Sequence, residues 1–150
     1  MTDEMHIIAD RDGVEDALPS KQVVGNTVVS AKGREAGSVD GFFFEDDGVI
    51  GLDVSYDHES YFIDIAFVEE YQKEAVMLTI QPFYVLQGVY VYDDDGRYLG
   101  KVADVTRAGS MNDIEEIVVK RHPFSKALSI PAADIKTAHD SVILNCAYDN

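Results

Sequence analysis

Three neighbouring carboxylates before a glycine, Asp93-Asp94-Asp95-Gly96, are the residues of this chain that most resemble a site for chemistry. Closely spaced acidic oxygens and a glycine turn open a calcium loop of the EF-hand kind. Such a loop then needs further oxygens and a bidentate glutamate at its end. Arg97 and Lys101 follow here instead. The corresponding turn earlier in the chain, Ser30-Ala31-Lys32-Gly33, has no carboxylate. A hairpin turn is the better reading, and no metal ligand is assigned. His139-Asp140-Ser141 sets the residue types of a nucleophilic triad side by side. A triad is assembled in space beside an oxyanion hole, and neighbours in one turn cannot do this. His6, His58, His122 and His139 are scattered without ligand spacing. The single cysteine, Cys146, excludes an internal disulfide and a CxxC pair. With no nucleophile pattern and no phosphate loop, the chain is expected to be non-enzymatic and without a cofactor.

The elements around these residues are laid out twice. Val23-Val24-Gly25, Val28, Gly33-Arg34, Gly37 and Val39 reappear 63 residues later as Leu86-Gln87-Gly88, Val91, Gly96-Arg97, Gly100 and Val102. Matching glycines mark matching backbone demands, so one unit of about 60 residues occurs twice. Short strands are predicted at Thr27–Ser30, Glu35–Phe44, Val49–Tyr56, Tyr61–Ile65 and Val76–Ile80, with a helical turn over Ala66–Tyr71. The second copy repeats them at Val89–Tyr92, Arg97–Arg107, Ile114–Lys120, Ala127–Ile130 and Val142–Asn145, with a helical turn over Pro131–Ile135. An insertion is placed near Gly109-Ser110. Many short strands broken by Gly and Asp turns, without a long amphipathic helix, indicate an all-β protein. The expected architecture is two small β-barrels packed together, each of short antiparallel strands with one short helical turn. Residues 1–20 form an acidic N-terminal arm, read as flexible, in which His6–Ala9 could add an edge strand. Residues 21–81 form the first barrel and 82–150 the second.

Charge narrows the partners. The chain carries 28 acidic and 12 basic residues, a net of −16, while 46% hydrophobic content still supports a core. Such a surface repels nucleic-acid phosphate and anionic headgroups, so no nucleic acid and no direct membrane insertion are expected. An acid-coated, well-cored chain fits a salt-rich cytoplasm, where screening removes much of the self-repulsion. No apolar run approaches spanning length, and Met1-Thr2-Asp3-Glu4 lacks the basic start of a secretory signal. A cytoplasmic location is expected.

Protein contact is the remaining function class. In a strand, Phe42 and Phe44 point one way and Phe43 the other, and one of those faces needs cover. The cover is either the other barrel or another molecule. Val105, Thr106 and Arg107 stand at the matching positions of copy two. Tyr90 and Tyr92 should face outward from Val89 and Val91, where tyrosines serve as interface anchors. Lys120, Arg121, Phe124 and Lys126 belong to the only basic cluster, read either as a solvated hairpin or as a docking tip for an acidic partner. Phe83 and Tyr84 are the candidates for packing between the barrels.

Asp93 through Val105, read as a turn Asp-x-Asp-Gly-Arg followed by aromatic-Leu-Gly-Lys-Val-x-Asp-Val, resembles the opening hairpin of the PRC-barrel family. Ile130-Pro131-Ala132-Ala133-Asp134-Ile135 with Val142-Ile143-Leu144 resembles its closing segment. Ala31–Asp40 fits the hairpin in copy one, whereas Ile63–Val68 lacks the proline. The resemblance covers roughly residues 22–146. It implies an adaptor or assembly module, and for acidic archaeal members of this kind a place in cell division, at the inner face of the membrane. The expected partners are therefore cell-division proteins, together with a homodimer or higher self-assembly. A small-ligand regulatory module and a ribosome-associated factor working through a protein contact are the alternatives.

Overall fold

The computed structural model describes Ile8, Asp10 and residues 16–148. Most of the arm expected over residues 1–20, and most of its His6–Ala9 strand, lies outside the described residues. The chain divides between Ile80 and Gln81 into two compact units, and both are all-β.

The first unit opens with a single helical turn, α1 (Ser20–Val23), behind Pro19. Six strands follow: β1 (Thr27–Val29), β2 (Glu35–Glu45), β3 (Gly48–Tyr56), β4 (Glu59–Asp64), β5 (Val68–Tyr71) and β6 (Ala75–Leu78). They lie in the order β4-β3-β2-β1-β6-β5. The second unit opens with a 3₁₀ turn, Phe83–Leu86, behind Pro82. Its strands are β7 (Tyr90–Tyr92), β8 (Tyr98–Arg107), β9 (Ile114–Lys120), β10 (Leu128–Pro131), β11 (Ile135–Ala138) and β12 (Ser141–Leu144). Their order, β10-β9-β8-β7-β12-β11, is the same. Pro82-Phe83 therefore begins the second copy, 63 residues after Pro19-Ser20, and is more than a connector.

Chain length forces each sheet to curl. The two edge strands of the first sheet, β4 and β5, are joined only by the 3₁₀ turn Ile65–Phe67. Four residue steps reach about 14 Å at most, whereas the edges of a flat six-stranded sheet would stand about 24 Å apart. The sheet must roll until those edges approach. Ala132–Asp134 imposes the same closure on β10 and β11. Register shifts help the bend, because an extra residue kinks and twists a strand. They fall at Val39/Gly41 and Phe43/Phe44 in β2, and at the equivalent Val102/Asp104 and Thr106/Arg107 in β8.

The glycine repeat has a geometric cause. Gly33 and Gly96 both adopt φ of 80° at the tip of the first hairpin. Gly37 and Gly100 lie where strands press together. A Cβ there would stand 2.3 Å from the Ser55 carbonyl oxygen or 2.4 Å from that of Lys120.

The helical turns are shorter than the sequence predicts. Helix is confined to Ile65–Phe67, and Val68–Tyr71 is β5, paired antiparallel with β6. Likewise Pro131 ends β10 and Ile135 begins β11. Hydrogen bonding to the neighbouring strand decides these residues, whose local preference is weak. One pairing in each unit is also parallel, β1 with β6 and β7 with β12, among otherwise antiparallel neighbours.

Each rolled sheet encloses its own core. Val23, Val28, Val39, Leu52, Val54, Ile63, Val76 and Leu78 are buried in the first unit. Leu86, Val91, Val102, Ile117, Val119, Ile130, Val142 and Leu144 take the equivalent places in the second. Ala36 of the first faces the place that Leu99 fills in the second.

Candidate protein-binding surfaces

The Asp93-Asp94-Asp95 group is a turn before it is anything else. Asp93 is buried, and its Oδ1 accepts from the amides of Asp95 at 3.0 Å and Arg97 at 2.9 Å. Ser30 occupies the same place in copy one, where its Oγ accepts from Lys32 and Arg34 at 3.3 and 3.1 Å. Such side-chain-to-backbone bonds hold a reversing chain. Asp93, Asp94 and Asp95 do bring carboxylate oxygens within 4.8 Å of one another, but Asp93 has committed one oxygen to the turn. His139 and Ser141 are joined through backbone, the His139 amide donating to the Ser141 carbonyl at 3.1 Å in the turn between β11 and β12. Cys146 stands near Asp134, Asp94 and Asp93. Partial desolvation and then these charges push its thiol pKa up, opposite to the activation a nucleophilic thiolate needs.

Aromatic and cationic side chains gather on the outer face of the second unit. Val89 and Val91 turn into the core and Tyr90 turns out, 48% exposed. Its strand neighbour opposite is Lys101, which pairs in turn with Lys120. The Lys101 ammonium lies 5.1 Å from the Tyr90 ring centre, within cation–π range. Tyr98 bridges Tyr90 and Tyr92, with ring centres 5.9 and 5.7 Å away. Arg121 reaches across this row, donating from Nη2 to the Tyr98 carbonyl at 3.1 Å, with its guanidinium 5.9 Å from the Tyr98 ring. Tyr98 and Lys101 were not singled out from sequence, because only strand register places them beside Tyr90 and Arg121.

The loop after β9 projects from this face as an ordered tip. Ser125 Oγ accepts from the Arg121 and His122 amides at 3.0 and 3.1 Å and donates to the His122 carbonyl at 2.7 Å. Phe124 stands at the apex, 97% exposed, between Arg121 and Lys126.

In the first unit Phe43 lies on the outer face against Phe62, with ring centres 5.2 Å apart in an edge-on contact. The Phe62 ring covers Gly51, where a Cβ would come within 2.4 Å of it. Phe42 and Phe44 turn the other way. With Leu18, Val23, Val49 and Tyr71 they line an open cleft of about 630 Å³, edged by Asp16, Glu69 and Glu70. Phe44 is 68% exposed.

Comparison of the copies explains this cleft. Ser20, which lines it, is replaced by Phe83 in the second unit, and Phe44 by Arg107. Phe83 packs against the second core, and the Arg107 guanidinium sits 3.6 Å from the Phe83 ring centre. Asn112 secures the arrangement, accepting from the Phe83 amide at 2.8 Å and donating to the Gln81 carbonyl at 3.0 Å. A stacked phenylalanine and arginine thus fill in one unit what a serine leaves open in the other. Tyr84, beside Phe83 at 5.7 Å between ring centres, is buried.

Among the described residues no helix is long and apolar enough to cross a membrane. No curated protein matches the chain. Residues 84–149, nearly the whole second unit, match the PRC-barrel domain family.

Proposed function

We propose that the chain is a non-enzymatic adaptor that assembles proteins, built from a PRC barrel and a diverged second copy of it in tandem. The carrying observation is the continuous surface of Tyr90, Tyr92, Tyr98, Lys101 and Arg121 on the second unit. Tyrosine offers large contact area at modest conformational cost, and interfaces are enriched in both tyrosine and arginine. The rings are braced by one another and by cations, so little ordering is left for a partner to impose.

The partners proposed are cell-division proteins of a salt-adapted archaeon. The resemblance of Asp93–Val105 and Ile130–Leu144 to PRC barrels and the net charge of −16 support that setting. In-cell crosslinking and recovery of a tagged chain, with the tag placed also on a Tyr90→Ala/Tyr98→Ala variant, tests the reading. Recovery of division proteins by the wild type alone, with a mid-cell ring from a fluorescent fusion, is expected. A diffuse fusion and identical recoveries with both chains would refute it.

A further inference from the structure

The two units differ sharply in charge. Residues 1–80 hold 18 acidic and 5 basic side chains, whereas residues 81–150 hold 10 and 7. The first unit also carries an open cleft lined by both aromatic and acidic side chains, Phe42, Phe44 and Tyr71 with Asp16, Glu69 and Glu70. The second unit carries side chains of complementary chemistry. Its tip presents Phe124 almost wholly to solvent, flanked by Arg121 and Lys126.

The second unit also indicates what such a cleft takes. At its equivalent position the space is filled by an aromatic ring capped by a guanidinium, Phe83 beneath Arg107. An aromatic side chain flanked by basic ones is the same chemistry supplied from outside. The tip is already ordered by Ser125, so insertion would cost little loop entropy.

We propose that the cleft of the first unit binds the Phe124 tip of a second copy of this chain. Phe124 seats against Phe42, Phe44 and Tyr71, and Arg121 and Lys126 meet Asp16, Glu69 and Glu70. This deepens the adaptor reading by naming one partner, and it rests on that reading. The contact is heterologous, since cleft and tip are different surfaces, so each bound pair leaves one cleft and one tip free and assembly runs head to tail. Most of the binding comes from ring burial. The ion pairs mainly fix orientation, because in molar salt the screening length is about 3 Å.

The full-length chain in molar KCl provides the test, by sedimentation velocity over a wide concentration range. The wild type is expected to grow in mass with concentration. Phe124→Ala removes the tip's ring from an exposed position. Ser20→Phe/Phe44→Arg closes the cleft with the second unit's own filling, and Phe44→Ser opens its floor should the double variant fold poorly. Each variant alone should self-associate at least about 30-fold more weakly, the scale of a hot-spot side chain. Mixing a tip variant with a cleft variant should give a one-to-one dimer that grows no further, because only one productive pair remains. A wild type that stays monomeric overturns the proposal. So do variants that associate like the wild type, or a mixture that forms no dimer. If self-association fails while division proteins are still recovered, the adaptor reading survives and the docking of copies does not.

Discussion

Alanine at Gly100 should break the second unit locally and measurably. Gly100 lies in β8 with φ of 140°, and a Cβ there would meet the Lys120 carbonyl oxygen at 2.4 Å and its carbon at 2.6 Å. Ordinary van der Waals contact begins near 3.4 Å, so β8 and β9 must part by about 1 Å, enough to take a normal N–H···O bond out of range. The neighbouring pairs Lys101↔Lys120 and Val102↔Val119 would be strained first. The unfavourable backbone conformation costs about 1–2 kcal/mol, and one or two weakened ladder bonds add about 1 kcal/mol each. The sum, about 3 kcal/mol, is a large part of the stability of so small a unit. Gly96→Ala is the control: its φ is 80°, and nothing lies within 4 Å of a Cβ. It should cost only the conformational part, about 1–2 kcal/mol. Calorimetry should show the second unit's transition lower in Gly100→Ala than in Gly96→Ala by roughly 4 °C or more, and hydrogen exchange should localise the loss to β8 and β9. Equal stability of the two variants, within about 0.5 kcal/mol, would refute the close-approach argument.

Three further outcomes are expected. Asp93→Ala should destabilise the second unit by about 1–2 kcal/mol through the freed Asp95 and Arg97 amides, while Asp93→Ser should recover most of it, because Ser30 does the same work in copy one; urea titration of the pair decides this. Tyr148 donates its hydroxyl hydrogen to Asp134. Desolvation first, and then that bond, push its pKa up to about 12. Folding therefore favours the protonated phenol, so this contribution is complete below pH 10 and is lost as pH rises from 10 through 12. Absorbance titration should show a late tyrosine near pH 12 that is absent in Tyr148→Phe. Thermal stability should rise with KCl, as screening relieves repulsion among 28 acidic residues; a midpoint that is flat or falls with salt would remove the case for a salt-rich setting.

The hairpins were legible because glycine reports backbone geometry directly. Gly33, Gly37, Gly96 and Gly100 all have positive φ, and their spacing located β1, β2, β7 and β8 to within a residue or two. Alternation along Val89-Tyr90-Val91 revealed which side faces the core. The strands β5 and β11 were hidden because Val-Glu-Glu-Tyr and Ile-Lys-Thr-Ala have no clear period, and only pairing with β6 and β12 decides them. The surfaces were legible as residue types and not as places. Phe42 and Phe44 stand out in any reading, but the cleft they floor depends on Ser20 standing where copy two has Phe83. That equivalence precedes the first matched glycine and emerges only once α1 and the Phe83–Leu86 turn are seen to correspond. Phe62, Tyr98 and Lys101 became neighbours of Phe43, Tyr90 and Arg121 through strand register, which a single chain does not spell out.

The parallel pairing of first and last strands decides how each unit bears a load. In the first unit β1 and β6 run side by side in the same direction, Thr27 against Ala75 and Val29 against Met77; in the second, Tyr90 lies against Ser141 and Tyr92 against Ile143. The chain thus enters beside one end of this pair and leaves beside the other. Tension applied to the two ends of a unit pulls β1 and β6 lengthwise past each other. Their hydrogen bonds are then strained together, where a hairpin pulled open at its end would yield them one at a time. Each barrel is in this sense a clasp that meets tension along the chain with several hydrogen bonds at once.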